Sequence, residues 1–207
     1  DDVTHLSLPV KPFSDSKAGV IRCKFWGLGG DGTVGANHNT VRIINDNTDK
    51  FAQAYFEYDA KKSFGVTKSH LRVSKEEINR PYYVNSVNLL VCTKDSYLLK
   101  YDIVNQIKKG GTFILVSSLK GDELIKFLPN KVKKTIIDKE IKMYVIDAFS
   151  IAKKNNIPNK ISAIVETAIF KVASLVSDEL IINKTKEQII KKFTKKGSEI
   201  VDANLHA

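Results

Sequence analysis

The chain has 207 residues, with 33 Lys and Arg against 23 Asp and Glu, a formal net charge of +10 and an apolar share of 43% that includes ten Phe and seven Tyr. That share excludes a disordered chain, and two Cys are too few for a disulfide framework or, alone, for a four-ligand zinc or iron–sulfur site. The longest apolar stretch, 161–176, is interrupted by Glu166 and Lys171, so it is too short and too charged to span a bilayer.

Residues 1–18 read as an extended lead-in, with Pro9 and Pro12 favouring extended backbone. The opening Asp1 and Asp2 are unlike a targeting segment, and the absence of an initiator Met fits a piece of something longer. Val20 to Trp26 alternates as a half-buried strand and runs into a glycine-rich turn, Gly27-Leu28-Gly29-Gly30-Asp31-Gly32-Thr33-Val34-Gly35-Ala36-Asn37. Val34, Val41 and Ile44 then share one stripe of a helix over 33–46. Strands are expected at 51–58, 69–73, 88–93, 112–117 and 142–147. Helices are expected at 98–108, closed by Gly110-Gly111, at 122–128 and near 149–155. From Pro158 on the pattern is helical: Ile161, Ile164, Val165, Ala168, Ile169, Val172 and Leu175 form one buried stripe. Thr185-Lys186-Glu187-Gln188 reads as a capping box for a last amphipathic helix. This alternation predicts an α/β fold: an open, mostly parallel, Rossmann-like sheet flanked by helices, with extra helices at the C-terminus.

The charge pattern argues against a nucleic-acid reader, although a basic module that binds nucleic acid through Lys-rich faces stays as an alternative. Of the basic residues only Arg22, Arg42, Arg72 and Arg80 are Arg; the rest are Lys, dense in 131–142 and 184–196, which suits solvated helix faces. Neither nucleic acid nor membrane is an expected partner. Cys23 and Cys92 sit in apolar strands as packing residues of a reduced, cytoplasmic-type protein.

The turn carries the chemistry. A helix N-terminus behind glycines offers unpaired amides and the positive end of a dipole to phosphate oxygens, and Gly29, Gly30, Asp31, Gly32, Thr33, Val34, Gly35 and Asn37 are the candidate binding residues. Gly27-Leu28-Gly29-Gly30-Asp31-Gly32 satisfies the dinucleotide pattern, but the acidic residue expected about 20 positions on is represented only by the more distant Glu57 and Asp59. A nicotinamide or flavin site therefore stays open, as does a purely conformational role for the glycines. A P-loop is excluded, because no Gly-Lys-Ser/Thr closes the turn. Gly30-Asp31-Gly32 also resembles the opening of a magnesium-diphosphate motif, but 56–61 lacks the Asn that completes one. A second cluster, Lys61 to Arg72, reads as a loop after a strand that gathers Ser63, Thr67, Ser69, His70 and Arg72. No base or acid at catalytic spacing can be named for His70, so nucleophilic catalysis is not expected and no residue is assigned a catalytic role.

Two stretches together carry a family resemblance: Cys23-Lys24-Phe25-Trp26 through Asn37, and Tyr55-Phe56-x-Tyr58-Asp59-x-Lys61-Lys62-Ser63-x-Gly65-x-Thr67-x-Ser69-His70-Leu71-Arg72. They resemble the gamma domain of pyruvate:ferredoxin (flavodoxin) oxidoreductase, a 2-oxoacid oxidoreductase. The likeness extends from Asp2-Val3-Thr4-His5-Leu6-Ser7-Leu8 to Lys195-Lys196-Gly197-Ser198-Glu199-x-Val201-x-x-Asn204. Gly30 stands where Ser is usual, His38 where Lys is common, which removes one phosphate contact, and Phe64 where Gly is usual.

The resemblance implies that 19–207 is a single gamma-type domain of a larger enzyme, inactive alone. Such an enzyme oxidatively decarboxylates pyruvate to acetyl-CoA and passes electrons to ferredoxin, flavodoxin or, through a fused reductase, NADP. It further implies coenzyme A as the ligand of this domain, with thiamine diphosphate, Mg2+ and [4Fe–4S] clusters in other domains that pack against it. It places the enzyme in the cytoplasm or in an organelle of an anaerobic eukaryote.

Overall fold

The fold is described from a computed structural model for residues 3–9, 18–61, 64–157, 161–173 and 177–207. The chain order is β1 (Ile21–Leu28), α1 (Thr33–Asn47), β2 (Phe51–Tyr58), β3 (Val66–Ser74), β4 (Val87–Cys92), two 3-10 turns (Asp95–Leu99 and Val104–Gln106), β5 (Ile107–Val116), α2 (Gly121–Phe127), α3 (Asn130–Asp138), β6 (Lys142–Ile146), α4 (Ala148–Lys154), α5 (Ser162–Ala173), α6 (Asp178–Phe193), a 3-10 turn (Thr194–Lys196) and α7 (Ser198–His206). Of the expected lead-in, residues 1–2 and 10–17 lie outside the described residues, and residues 3–9 are exposed and form neither helix nor strand.

The strands form one six-stranded sheet in the order β2-β3-β1-β4-β5-β6. β1, β4, β5 and β6 pair in parallel, whereas β3 runs antiparallel between β1 and β2. Five strands thus point one way, as the alternating pattern predicts, and β3 is the exception. Its reversal has a simple cause: only a short turn separates β2 from β3, and a parallel return needs a crossover of a dozen or more residues.

One sheet face is mainly apolar, with buried Thr67 and Ser69 on β3 as exceptions. Cys23, Phe25, Leu71, Val73, Leu89, Val91, Ile114 and Val116 pack under α1, α4 and α5. The other face is split. Over β4 and β5 it is apolar, with Leu90, Cys92, Phe113 and Leu115 beneath the 3-10 turns, α2 and α3. Over β1 and β3 it carries buried Arg22, Lys24, His70 and Arg72.

Several expected elements differ. No helix forms over 98–108: two 3-10 turns and the start of β5 bury Leu98, Ile103 and Ile107 instead. Gly110-Gly111 lies inside β5, where Gly110 is left-handed (φ 70°) and a Cβ on Gly111 would meet the Ile107 side chain at 2.6 Å. The capping box at Thr185 is not used. Ser177 caps α6, its hydroxyl accepting from the Leu180 amide, and Thr185 is buried in mid-helix. Leu175, the last residue of the expected stripe, lies outside the described residues. The stripe predicted on α1 is polar at its start, because Thr33, Asn37 and Thr40 are buried ahead of Ile43 and Ile44. α3 and α7 were not expected.

Candidate functional site

β1 ends where three segments converge. The Gly29 amide donates to the Gly65 carbonyl at 2.7 Å, clamping the turn after β1 to the β2–β3 hairpin. Gly27 is required there, because a Cβ would stand 2.8 Å from the Thr67 hydroxyl and 3.1 Å from both Asp31 and Thr33. Asp31 organises the rest. Its Oδ2 accepts from the Leu28 amide (2.8 Å) and the Thr93 hydroxyl (2.7 Å), and its Oδ1 accepts from the Thr33 amide (2.8 Å) and hydroxyl (2.5 Å). Asp31 therefore spends its acceptor capacity on β1, α1 and the end of β4, at the positive end of the α1 dipole.

The eight expected binding residues separate into two groups. Gly29, Asp31, Thr33 and Asn37 are committed internally; the Asn37 side-chain amide donates to the Thr33 carbonyl at 3.0 Å. Gly30, Gly32 and Gly35 are exposed and Val34 is half-buried, and their amides have no hydrogen-bond partner among the described residues. Gly30 and Gly32 are left-handed (φ 97° and 85°). A Cβ on Gly32 would meet the Cβ of Ser162 at 3.0 Å, so the start of α5 stands against the start of α1. The corner is open on the amides of Gly30, Gly32, Val34 and Gly35.

The second cluster is not a loop. Lys62 and Ser63 lie outside the described residues, and Thr67, Ser69, His70 and Arg72 belong to β3, where all four are buried. The register sets Arg22, Arg72 and Gln53 in one row across the sheet, Lys24, His70 and Tyr55 in the next, and Trp26, Lys68 and Glu57 in the third. The Val84 amide donates to His70 Nδ1 at 3.0 Å, which leaves the ring proton on Nε2, bonded to Glu57. Arg72 donates to the carbonyls of Tyr82 (2.8 Å) and Tyr83 (3.3 Å), and Lys24 to that of Val84 (3.4 Å). Burial lowers the His70 pKa against the opposing bond to Glu57, so the imidazole is neutral. Burial also lowers Lys24 to about 8, opposed by the charge of Glu57. Burial pushes Glu57 up, but its bonds from His70 and Lys68 outweigh this and hold it below the usual carboxylate range. The rows form a structural mat pinned by 82–84.

Both cysteines are buried, and burial drives each thiol to about 12, the opposite of a thiolate ligand. No group of three or more His, Cys, Asp or Glu side chains among the described residues could hold a metal ion. No described helix is long and apolar enough to cross a membrane. With Asp31 saturated and the thiols buried, the described residues do not fit a magnesium–thiamine diphosphate motif or a cluster site.

Residues 22–207 match the family described as pyruvate ferredoxin/flavodoxin oxidoreductase. The chain belongs to this family. It is 45% identical over 208 residues to the pyruvate:ferredoxin oxidoreductase of Moorella thermoacetica, covering 100% of this chain but 18% of that protein. This family member thus spans under one-fifth of the length of a curated relative. Its fold matches pyruvate oxidoreductase subunit PORC of Thermotoga maritima with a TM-score of 0.70 at 18% identity, over 91% of this chain and 92% of that one. It also matches a 2-oxoglutarate:ferredoxin oxidoreductase of Magnetococcus marinus, solved with 2-oxoglutarate, coenzyme A and succinyl-CoA bound (TM-score 0.67, 18% identity, 91% of this chain and 30% of that one).

Sequence reasoning missed one part of the family member's surface. α1, α5 and α6 enclose a cleft of about 310 Å³ lined by Arg42, Glu166, Thr185 and Lys192 among others. Its sequence signal was a lone Glu in the apolar stripe of α5, readable only as an interruption until α1 and α6 were placed beside it.

Proposed function

We propose that residues 19–207 form one domain of a 2-oxoacid oxidoreductase that converts pyruvate and coenzyme A to acetyl-CoA and CO2. The two electrons released pass to ferredoxin or flavodoxin, or to NADP in a fused form. Thiamine diphosphate, Mg2+ and the [4Fe–4S] clusters belong to other domains, consistent with the poor fit of this domain's residues to them. This domain's part is to hold the coenzyme A diphosphate at the turn before α1.

One observation carries that role: the amides of Gly30, Gly32, Val34 and Gly35 stand open at the N-terminus of a 15-residue helix. Amides there hydrogen-bond an anion without bringing a mobile charge, and the dipole adds to the attraction. Asp31 fixes the loop from beneath, so the incoming phosphate meets a preformed cradle. The bound coenzyme A in the Magnetococcus structure supports the ligand class at the level of the shared fold.

The test is Gly35→Asp in the full-length enzyme. A Cβ at Gly35 meets nothing within 4 Å, so the fold accepts the side chain, and a carboxylate in the first turn favours the helix. The expected result is a KM for coenzyme A raised about tenfold or more, equivalent to about 1.4 kcal/mol, with the KM for pyruvate unchanged. Gly35→Ala is the neutral control. An unchanged KM for coenzyme A in Gly35→Asp overturns the assignment.

A further inference from the structure

The cleft between α1, α5 and α6 begins at Gly35 and Ser162, beside the turn, and runs along α1 past His38 and Asn39 to Arg42. Arg42 and Lys192 line it from different helices, both exposed; neither forms a direct ion pair among the described residues, although the charge of Lys192 acts on Glu166. Lys192 lies over the Phe193 ring at 5.4 Å, and His38 stacks on Phe56 at 4.1 Å, so both walls are braced.

The floor is polar and buried. Glu166 is 6% exposed; its Oε1 accepts from the Asn39 amide at 2.9 Å and lies 3.5 Å from the Thr40 hydroxyl. Thr185 is 7% exposed, and its buried hydroxyl has no hydrogen-bond partner among the described residues. Burial raises the Glu166 pKa to about 7, so near neutrality much of it carries a proton and offers a donor rather than a charge. The cleft therefore holds two cations, a carboxyl about half protonated near pH 7 and an unused hydroxyl, in a space several times the volume of a phosphate group.

We propose that this cleft is a second anion site, binding a phosphate dianion between Arg42 and Lys192. Two sources share that chemistry: the phosphomonoester of the coenzyme A held at the turn, in which case the inference rests on the function proposed above, or free phosphate, in which case it does not. Gly35 and Arg42 are seven residues apart on α1, about 10 Å along the axis, within the reach of one extended nucleotide ligand.

The experiment compares the full-length enzyme with its Arg42→Ala/Lys192→Ala variant, using Lys195→Ala as a control for net charge. In one arm, coenzyme A is compared with 3′-dephospho-coenzyme A as substrate. The native enzyme is expected to favour coenzyme A by tenfold or more in kcat/KM. The double variant loses that preference while its activity with the dephospho compound stays unchanged. In the other arm, inorganic phosphate is titrated calorimetrically with and without saturating coenzyme A. A binding event lost in the double variant, retained in Lys195→Ala and indifferent to coenzyme A assigns the site to free phosphate.

No preference in the first arm together with no variant-sensitive phosphate binding in the second overturns the inference. That failure is separable from failure of the turn assignment, since the turn is tested by the effect of Gly35→Asp on the KM for 3′-dephospho-coenzyme A, which lacks the phosphomonoester.

Discussion

The carboxylate of Asp31 accepts a hydrogen bond from the hydroxyl of Thr93 at 2.7 Å, joining the turn after β1 to the end of β4 across 62 positions of sequence. The same carboxylate caps α1 through the Thr33 amide. One side chain thus fixes the height of the turn, the start of the helix and the spacing of the two central strands.

Asp31→Ala removes four acceptor contacts at once and strands the Leu28 and Thr33 amides. Lost charge-assisted bonds and uncapped donors sum to about 3 kcal/mol of stability. Denaturant unfolding measures this. Asp31→Asn, which keeps one acceptor oxygen, is expected to lose about half as much.

Phe64 sits on the hairpin facing that turn, 78% exposed and left-handed at φ 59°. A Phe in that region is strained, whereas Gly is not. Phe64→Gly is expected to gain about 1 kcal/mol, with the melting temperature as the readout. The hairpin approaches through backbone, since a Cβ on Gly29 would stand 3.5 Å from the Phe64 amide nitrogen. The turn geometry should survive the substitution.

The first half of the sheet is legible because its signals are local. Alternation marks β1, although the strand is buried on both faces rather than half-buried, the aromatic run marks β2 over the residues observed, and the glycines mark the turn. The errors arise where spacing is ambiguous. Leu98, Ile103 and Ile107 repeat at intervals that suit a helix, yet short 3-10 turns bury them equally well. His70 and Arg72 fall in the strand expected at 69–73, but their burial was not legible, because polar side chains in a strand usually face water. Here their sheet face is covered by 82–84, a segment with no periodicity of its own. At the site, the glycines predicted an open cradle, but Asp31, Thr33 and Asn37 turned inward, because helix capping competes locally for the same groups that a ligand would use. The α1–α5–α6 cleft was invisible, since it joins residues more than 120 positions apart.

His70 joins strands β2 and β3 to the covering segment through Glu57 and the Val84 amide. His70→Ala leaves the buried Val84 amide without its acceptor and Glu57 with Lys68 as its remaining partner, an expected loss of about 2 kcal/mol. The pH dependence identifies the cause. Because the folded-state pKa of His70 lies below the ordinary imidazole value of 6.5, the unfolded chain binds the proton first as pH falls through 6.5, and stability declines with it. His70→Gln is expected to flatten that part of the pH profile.

Glu166 works in the opposite sense. Its folded-state pKa is about 7 against 4.5 for the free carboxyl, because burial disfavours the charge. Between those values the folded state binds more protons, so this residue's contribution falls as pH rises from 4.5 to 7 and is fully unfavourable above 7. The difference amounts to about 3 kcal/mol at pH 8. Glu166→Gln keeps an acceptor for Asn39 and carries no charge. It is expected to raise stability at pH 8, to leave it nearly unchanged at pH 4.5, and to remove the decline between. Chemical unfolding at four or five pH values reads this directly. A native-minus-Gln stability difference that stays constant from pH 4.5 to 8, or a Gln variant no more stable at pH 8, would show that Glu166 is charged and well solvated by Asn39, Thr40 and the cleft.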